Sequence, residues 1–248
     1  AAISVAGIGP TIADGMPKGA RGGAPMMMQP GCAASKFRGF YAGVHGGMGS
    51  LTSTVSDLSN LSGFPFFLFG NNTFQQTEDG WEFGGQIGYN WVQCNTFFGV
   101  EADFSWADFD NSKTYGVSLV NPFGTTVSHQ MDWLASIRTR AGIALGDMMI
   151  YATGGLAFAD IQTQVTNNFP GFGLGSSSSG TRTGWVAGVG TEYAWTDRIR
   201  ITGDVLYYDF GTESTNVTSL FAPGVNFRVD DHHSLWVSRI GINFALGH

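Results

Sequence analysis

Apolar residues recur at every second position over most of this chain, and that recurrence defines its elements. Across 133–143, Trp133, Ala135, Ile137, Thr139, Ala141 and Ile143 share one face, while Leu134, Ser136, Arg138, Arg140 and Gly142 share the other. A period of 2 marks a β-strand with two unlike faces. The run 81–91 sets Trp81, Phe83, Ile87, Tyr89 and Trp91 against Glu82, Gly84, Gln86, Gly88 and Asn90. In 96–109, Phe98, Val100, Ala102, Phe104 and Trp106 oppose Gly99, Glu101, Asp103 and Ser105. In 236–244, Trp236, Ile240, Ile242 and Phe244 oppose Arg239, Gly241 and Asn243. Runs at 39–51, 149–165, 181–195 and 198–210 complete a predicted set of eight strands.

The connections sort into two kinds. Gln93-Cys94-Asn95, Leu145-Gly146-Asp147 and Thr196-Asp197 are tight, whereas those near 52–78, 110–127, 166–180 and 211–231 are long and rich in Ser, Thr, Asn and Gly. Alternating short and long links predict an all-β fold: an eight-stranded antiparallel up-and-down transmembrane barrel with turns on one side and loops on the other. Residues 1–37 show neither period, only Gly, Pro, Ala and the run Met26-Met27-Met28, so an irregular N-terminal extension is expected before a barrel domain at 38–248.

Composition explains why the barrel lies in a membrane. Only 12% of residues are charged, about half the usual share, yet mean hydropathy is +0.02 and no stretch of about 20 apolar residues exists. A barrel reconciles the two, because only every second residue meets lipid. Trp81, Trp91, Trp106, Trp133, Trp185, Tyr193, Trp195, Tyr207 and Trp236 cluster at strand ends, where amphipathic rings prefer the membrane–water boundary. A soluble barrel would need abundant charge on its water-facing side; here the polar face is crowded with glycine instead. A net charge of −7 without any basic tract excludes a nucleic-acid partner. The chain opens without a basic or apolar leader, the expectation for a mature, exported protein.

The inward positions collect Glu82, Glu101, Asp103, Glu192 and Asp204 against Arg138, Arg140, Arg200 and Arg239. An eight-stranded barrel holds little more than its own side chains, so this near-balance predicts cross-barrel ion pairs. Fixed charge can also line a narrow ion path, which keeps a small-solute channel as the alternative to a structural surface barrel; a wide porin is excluded.

Several segments resemble a known family. Arg38-Gly39-Phe40-Tyr41-Ala42-Gly43-Val44-His45-Gly46-Gly47 is similar to the opening strand of the alphaproteobacterial outer-membrane immunogenic proteins, porin-family surface barrels of OmpA-like architecture. Gly85-Gln86-Ile87-Gly88-Tyr89-Asn90-Trp91, then Phe98-Gly99-Val100-Glu101-Ala102-Asp103, resembles their second hairpin. Ser136 to Gly142, Tyr151 to Ala157 and Gly184 to Tyr193 continue the likeness in order. The resemblance implies an outer-membrane location with periplasmic termini, contact with lipid and lipopolysaccharide, and no catalytic residues, metal or cofactor. Two features depart from it: Ala245-Leu246-Gly247-His248 follow the terminal aromatic Phe244, and an extension carrying a cysteine precedes the barrel.

Other candidates lie outside the strand pattern. Cys32 and Cys94 are the only cysteines, and both are expected at the same rim, so a disulfide tying the extension under the barrel is predicted. Ser128, His129 and Asp132 suggest a hydrolase, but adjacent strand residues face opposite ways, so no enzyme is expected. Asp230-Asp231-His232-His233 is expected as a solvated loop base rather than a metal site. In the first long loop, Phe64, Phe66, Phe67, Leu68 and Phe69 form an apolar contact surface for lipopolysaccharide, the barrel's own mouth, a neighbouring envelope protein or a second copy.

Overall fold

The computed structural model describes residues 36–57, 73–115, 125–167, 175–218 and 226–246. The chain divides into Ala1–Gly31 and Cys32–His248, and the strands all belong to the second unit. They are β1 (Gly39–Asp57), β2 (Thr73–Gln93), β3 (Thr96–Tyr115), β4 (Thr125–Leu145), β5 (Met148–Asn167), β6 (Gly175–Ala194), β7 (Ile199–Thr218) and β8 (Asn226–Ala245). Each pairs antiparallel with the next, and β1 pairs with β8 from Tyr41↔Ala245 to Asp57↔Val229, closing the barrel. Closure satisfies the backbone ladder without leaving an edge, which a lipid environment requires.

The strands are longer than the alternating pattern indicates. At 19–21 residues they are about twice what a tilted strand needs to cross a bilayer. Residues 73–78, 110–115, 166–167 and 211–218, expected within long connections, continue the ladder. Their Ser, Thr, Asn and Gln side chains hide the period, but the backbone groups still find partners on the neighbouring strand. The excess lies at the loop end, because the turns come immediately after the aromatic residues at the other end. Those turns are tight: Cys94-Asn95 opens with Cys94 at φ 54°, and Gly146-Asp147 with Gly146 at φ 67°, a conformation glycine takes without strain.

Register arranges the outward rings in two bands. At the turn end Phe40 pairs with Tyr89 and Trp91 with Phe98, at the level of Tyr193 and Phe244. At the loop end Phe83 pairs with Trp106, Trp106 with Trp133 and Tyr207 with Trp236, and Trp185 joins the last two in an aromatic row. Phe98 to Trp106, Trp185 to Tyr193 and Trp236 to Phe244 are all eight residues apart. That spacing is about 26 Å of strand, or roughly 20 Å of height after tilt, close to the apolar band of a membrane barrel. The tail also takes part: the Ala245 N–H donates to the Arg198 carbonyl (2.9 Å), and the Leu246 N–H to the Phe40 carbonyl (2.8 Å).

Glycines show how tight the interior is. A Cβ on the inward Gly84, Gly99, Gly142 or Gly188 would meet another atom at 2.0–2.3 Å, whereas on the outward Gly46, Gly85, Gly154 or Gly203 the nearest atom is 3.4–3.8 Å away. The inner wall of a small barrel has less circumference than the outer, so inward Cβ atoms collide first. Gly142→Val is therefore expected to lose most of the folded, heat-modifiable species on an unboiled gel. Gly85→Val should retain it.

Candidate functional site

The nine lumen residues marked by the alternating pattern all lie inside the barrel wall and are buried. Glu101 on β3 is held by two arginines of β4: Arg138 Nη2 contacts its Oε1, and Arg140 Nη1 lies 2.5 Å from its Oε2. Arg138 also reaches Asp103 Oδ2 at 3.3 Å. Arg140 continues to Glu192 on β6 (2.8 Å), which Arg200 on β7 also approaches (3.3 Å). On the opposite wall, Arg239 of β8 lies 3.2 Å from Asp103, 3.5 Å from Asp204 and 3.8 Å from Glu82. Glu82 stands furthest from any guanidinium in this set.

Neutral groups that the sequence analysis did not single out complete the network. Tyr41 OH donates to Glu101 Oε2 (2.6 Å) and accepts from Arg140 Nη1 (2.7 Å). Tyr151 OH donates to Asp204 Oδ1 (2.6 Å), its ring lies 4.2 Å from the Arg140 guanidinium, and Ser136 donates to Asp103. His45 sits between Gln86 and Ser105. Gln86 donates its Nε2 to Asn243 Oδ1 (2.6 Å), so its Oε1 accepts from His45 Nδ1–H, and the His45 Nε2 is left to accept from the Ser105 hydroxyl. Parity alone placed Tyr41, His45 and Tyr151 on the inward face. Tyrosine's equal aptness for the membrane boundary is what obscured two of them.

Apolar side chains close the network at both ends. At the turn end, Phe37, Phe97, Ala144, Met149, Tyr151 and Ala194 form one buried cluster. Phe37 precedes β1, and its carbonyl accepts from Asn90 Nδ2 (3.1 Å) and Arg200 Nη1 (3.5 Å), so the residue before the first strand is fixed beneath the lumen. Lys36 lies 2.6 Å from Asp147 in the β4–β5 turn; hydrogen bonding to that carboxylate, then its charge, raises the ammonium pKa. At the loop end a second cluster includes Leu51, Phe109, Met131, Leu134, Tyr208 and Leu235. There Gln75, Thr77, Asp79 and Asp108 face outward and are exposed, while the interior holds this apolar cluster together with the buried Ser53, Gln76, Glu78 and His233.

The remaining candidates fall differently. Asp230–His233 is not a solvated loop base but part of β8, with His233 buried and Asp230 accepting from Ser214 (2.6 Å). Alternation turns the two histidines opposite ways, and among the described residues no three His, Cys, Asp or Glu side chains are placed to hold a metal ion. Asp132, at the irregularity in β4, accepts from Gln162 (2.9 Å) rather than meeting Ser128. Cys94 is in the β2–β3 turn. Cys32 and the aromatic segment Phe64, Phe66, Phe67, Leu68 and Phe69 lie outside the described residues.

Breaking a buried ion-pair network from one side strands the partners left behind. Arg140→Ala leaves Glu101 and Glu192 without their shared guanidinium, so a loss of about 3–5 kcal/mol is expected in reversible denaturant unfolding in micelles. Phe98→Leu on the lipid face should cost much less.

A family model described as the outer membrane protein beta-barrel domain matches residues 23–243. The 31 kDa outer-membrane immunogenic protein of Brucella melitensis is 30% identical over 172 residues, 68% of this chain and 67% of the relative. The 22 kDa outer membrane protein of Rhizobium leguminosarum is 29% identical over 161 residues, 62% of this chain and 67% of the relative. Among solved structures, the outer membrane protease OmpT of Escherichia coli aligns with a TM-score of 0.50 at 8% identity, covering 83% of this chain and 96% of that one. OprG of Pseudomonas aeruginosa aligns with a TM-score of 0.47 at 14% identity, covering 84% and 95%.

Proposed function

Since this chain belongs to the outer-membrane β-barrel domain family, we propose that it is a sealed structural barrel of the cell surface, supporting the envelope and presenting its loop end to external or lateral contacts. One observation carries this reading: the charged lumen lies between two apolar clusters, with Phe37 and Met149 at one end and Leu51, Phe109 and Leu235 at the other. An ion entering from either side would first leave water for an apolar constriction, and then displace guanidinium–carboxylate pairs from one another. Both steps cost several kcal/mol.

The partners of this role are outer-membrane lipid and lipopolysaccharide along the two aromatic bands. A second copy or a neighbouring envelope protein would meet the wall above them. Strands that continue beyond the loop-end band present polar side chains outward, as contact with water rather than lipid requires. No turnover is needed for that work.

Conductance separates this function from a narrow channel for ions or small solutes. The purified, heat-modifiable barrel is expected to be silent in planar bilayers. Stable, reproducible single-channel steps, abolished by boiling before reconstitution, would overturn the sealed reading in favour of the channel.

A further inference from the structure

Phe37, which closes the turn end of the lumen, stands only two positions before β1. The start of a domain frays unless something ties it down. On the strand side the tie is Gly39, the register partner of Asn90 on β2. At Phe37 itself, the carbonyl accepts from Asn90 and Arg200, and the Arg200 guanidinium lies 5.5 Å from the ring. Upstream, the Lys36–Asp147 pair is half-exposed, and water screens it. Holding the stopper from that side calls for a stronger tie.

Cys94 stands where one can be made. It follows Asn90 by four residues, is exposed in the β2–β3 turn, and is disulfide-bonded rather than a free thiol. The chain has one other cysteine, Cys32, seven residues before Gly39. Asn90 to Cys94 covers about 13 Å of chain, whereas seven residues reach up to ~24 Å. The stretch from Gly39 back to Cys32 is thus long enough to include the seat of Phe37 and still meet Cys94.

We propose that Cys32 and Cys94 form a redox-cleavable disulfide that clamps the Phe37 stopper from its upstream side. With Gly39 paired to Asn90 and Cys32 bonded to Cys94, the stretch bearing Phe37 is anchored at both ends. The bond forms by exchange with a more oxidising protein disulfide, the oxidant class of the periplasmic face. One cysteine thiolate attacks the donor's S–S bond, giving a mixed disulfide and a donor thiolate. The second cysteine thiolate then displaces the remaining donor sulfur. The chain loses two electrons and two protons, and the donor leaves as a dithiol. Exposure of Cys94 leaves the bond open to the reverse exchange, which returns both thiols and frees the upstream end. What the clamp closes rests on the sealed-lumen reading; the bond and its hold on Phe37 do not.

The test uses the full chain, folded in detergent micelles without reductant. Peptide mapping should find Cys32 and Cys94 in one cross-linked species that separates on reduction; two free thiols overturn the bond. Limited trypsin digestion, read by mass spectrometry at the Lys36–Phe37 peptide bond, tests the clamp. Cleavage there should be at least about tenfold faster once the folded wild-type barrel is treated with a phosphine reductant, and likewise in Cys94→Ser and Cys32→Ser. The heat-modifiable shift should persist throughout, which separates loss of the clamp from loss of the barrel. A cleavage rate that reduction leaves unchanged overturns the clamp. Channel steps from the oxidised barrel would overturn the sealed reading alone, leaving the mapping and digestion results to decide the clamp.

Discussion

Charge confined where water is scarce must be paired, and the barrel is arranged around that requirement. Four arginines and five carboxylates occupy the lumen, and with Tyr41 and Tyr151 they draw on all eight strands. Because Glu101 is shared by Arg138 and Arg140, and Glu192 by Arg140 and Arg200, no pair is isolated. The contacts of Arg140 with Glu192 and of Arg239 with Asp103 and Glu82 join strands that are not consecutive, so the network constrains shear and register as well as charge. Inward glycines follow from the crowding of the same interior: a Cβ on Gly84 or Gly142 would meet the backbone of the adjacent strand, and one on Gly88 or Gly190 the ring of Tyr41 or Tyr151.

The wall is built to two opposite specifications along its height. Between the aromatic bands it is apolar outside and charged inside. Above the loop-end band it is polar outside, and inside it carries the apolar cluster of Leu51, Phe109, Met131 and Leu235 alongside the buried Ser53, Gln76, Glu78 and His233. The first arrangement suits lipid, where outward polarity would cost desolvation. The second suits water, where apolar burial stabilises the strands as in a soluble barrel. The change falls at Trp106, Trp133, Tyr207 and Trp236, residues suited to both media. The strands run through this boundary, but the β2–β3 and β6–β7 ladders reach only Trp81↔Asp108 and Trp185↔Asp209, so the water-exposed portion continues on the pairings β7-β8-β1-β2 and β3-β4-β5-β6.

Both ends of the seam are reinforced. At the turn end the tail after Phe244 bonds across the seam through the Leu246 N–H to the Phe40 carbonyl, and at the loop end Ser53 and His233 meet across the same two strands. The first and last strands are the only neighbours joined by no connection, so the side-chain and tail contacts there supplement the ladder where chain connectivity does not help.

The alternating pattern by itself determined the strand number, the face of each strand and the nine lumen charges, because a side chain's face is a local consequence of backbone pleating. It also put Tyr41, His45 and Tyr151 inside, though aromatic character made that placement hard to read. Tertiary structure decided what depends on register between strands. It set which carboxylate meets which arginine, how far the ladder runs beyond the apolar pattern, and where apolar residues close the lumen. The same is true of His233. Its neighbours in sequence suggest a loop base, but pairing with β1 makes it a buried partner of Ser53. Leu51 and Leu235 share the parity of the inward His45 and Arg239, but Met131 shares that of the outward Trp133, and only the irregularity between them in β4 turned Met131 inward above the membrane.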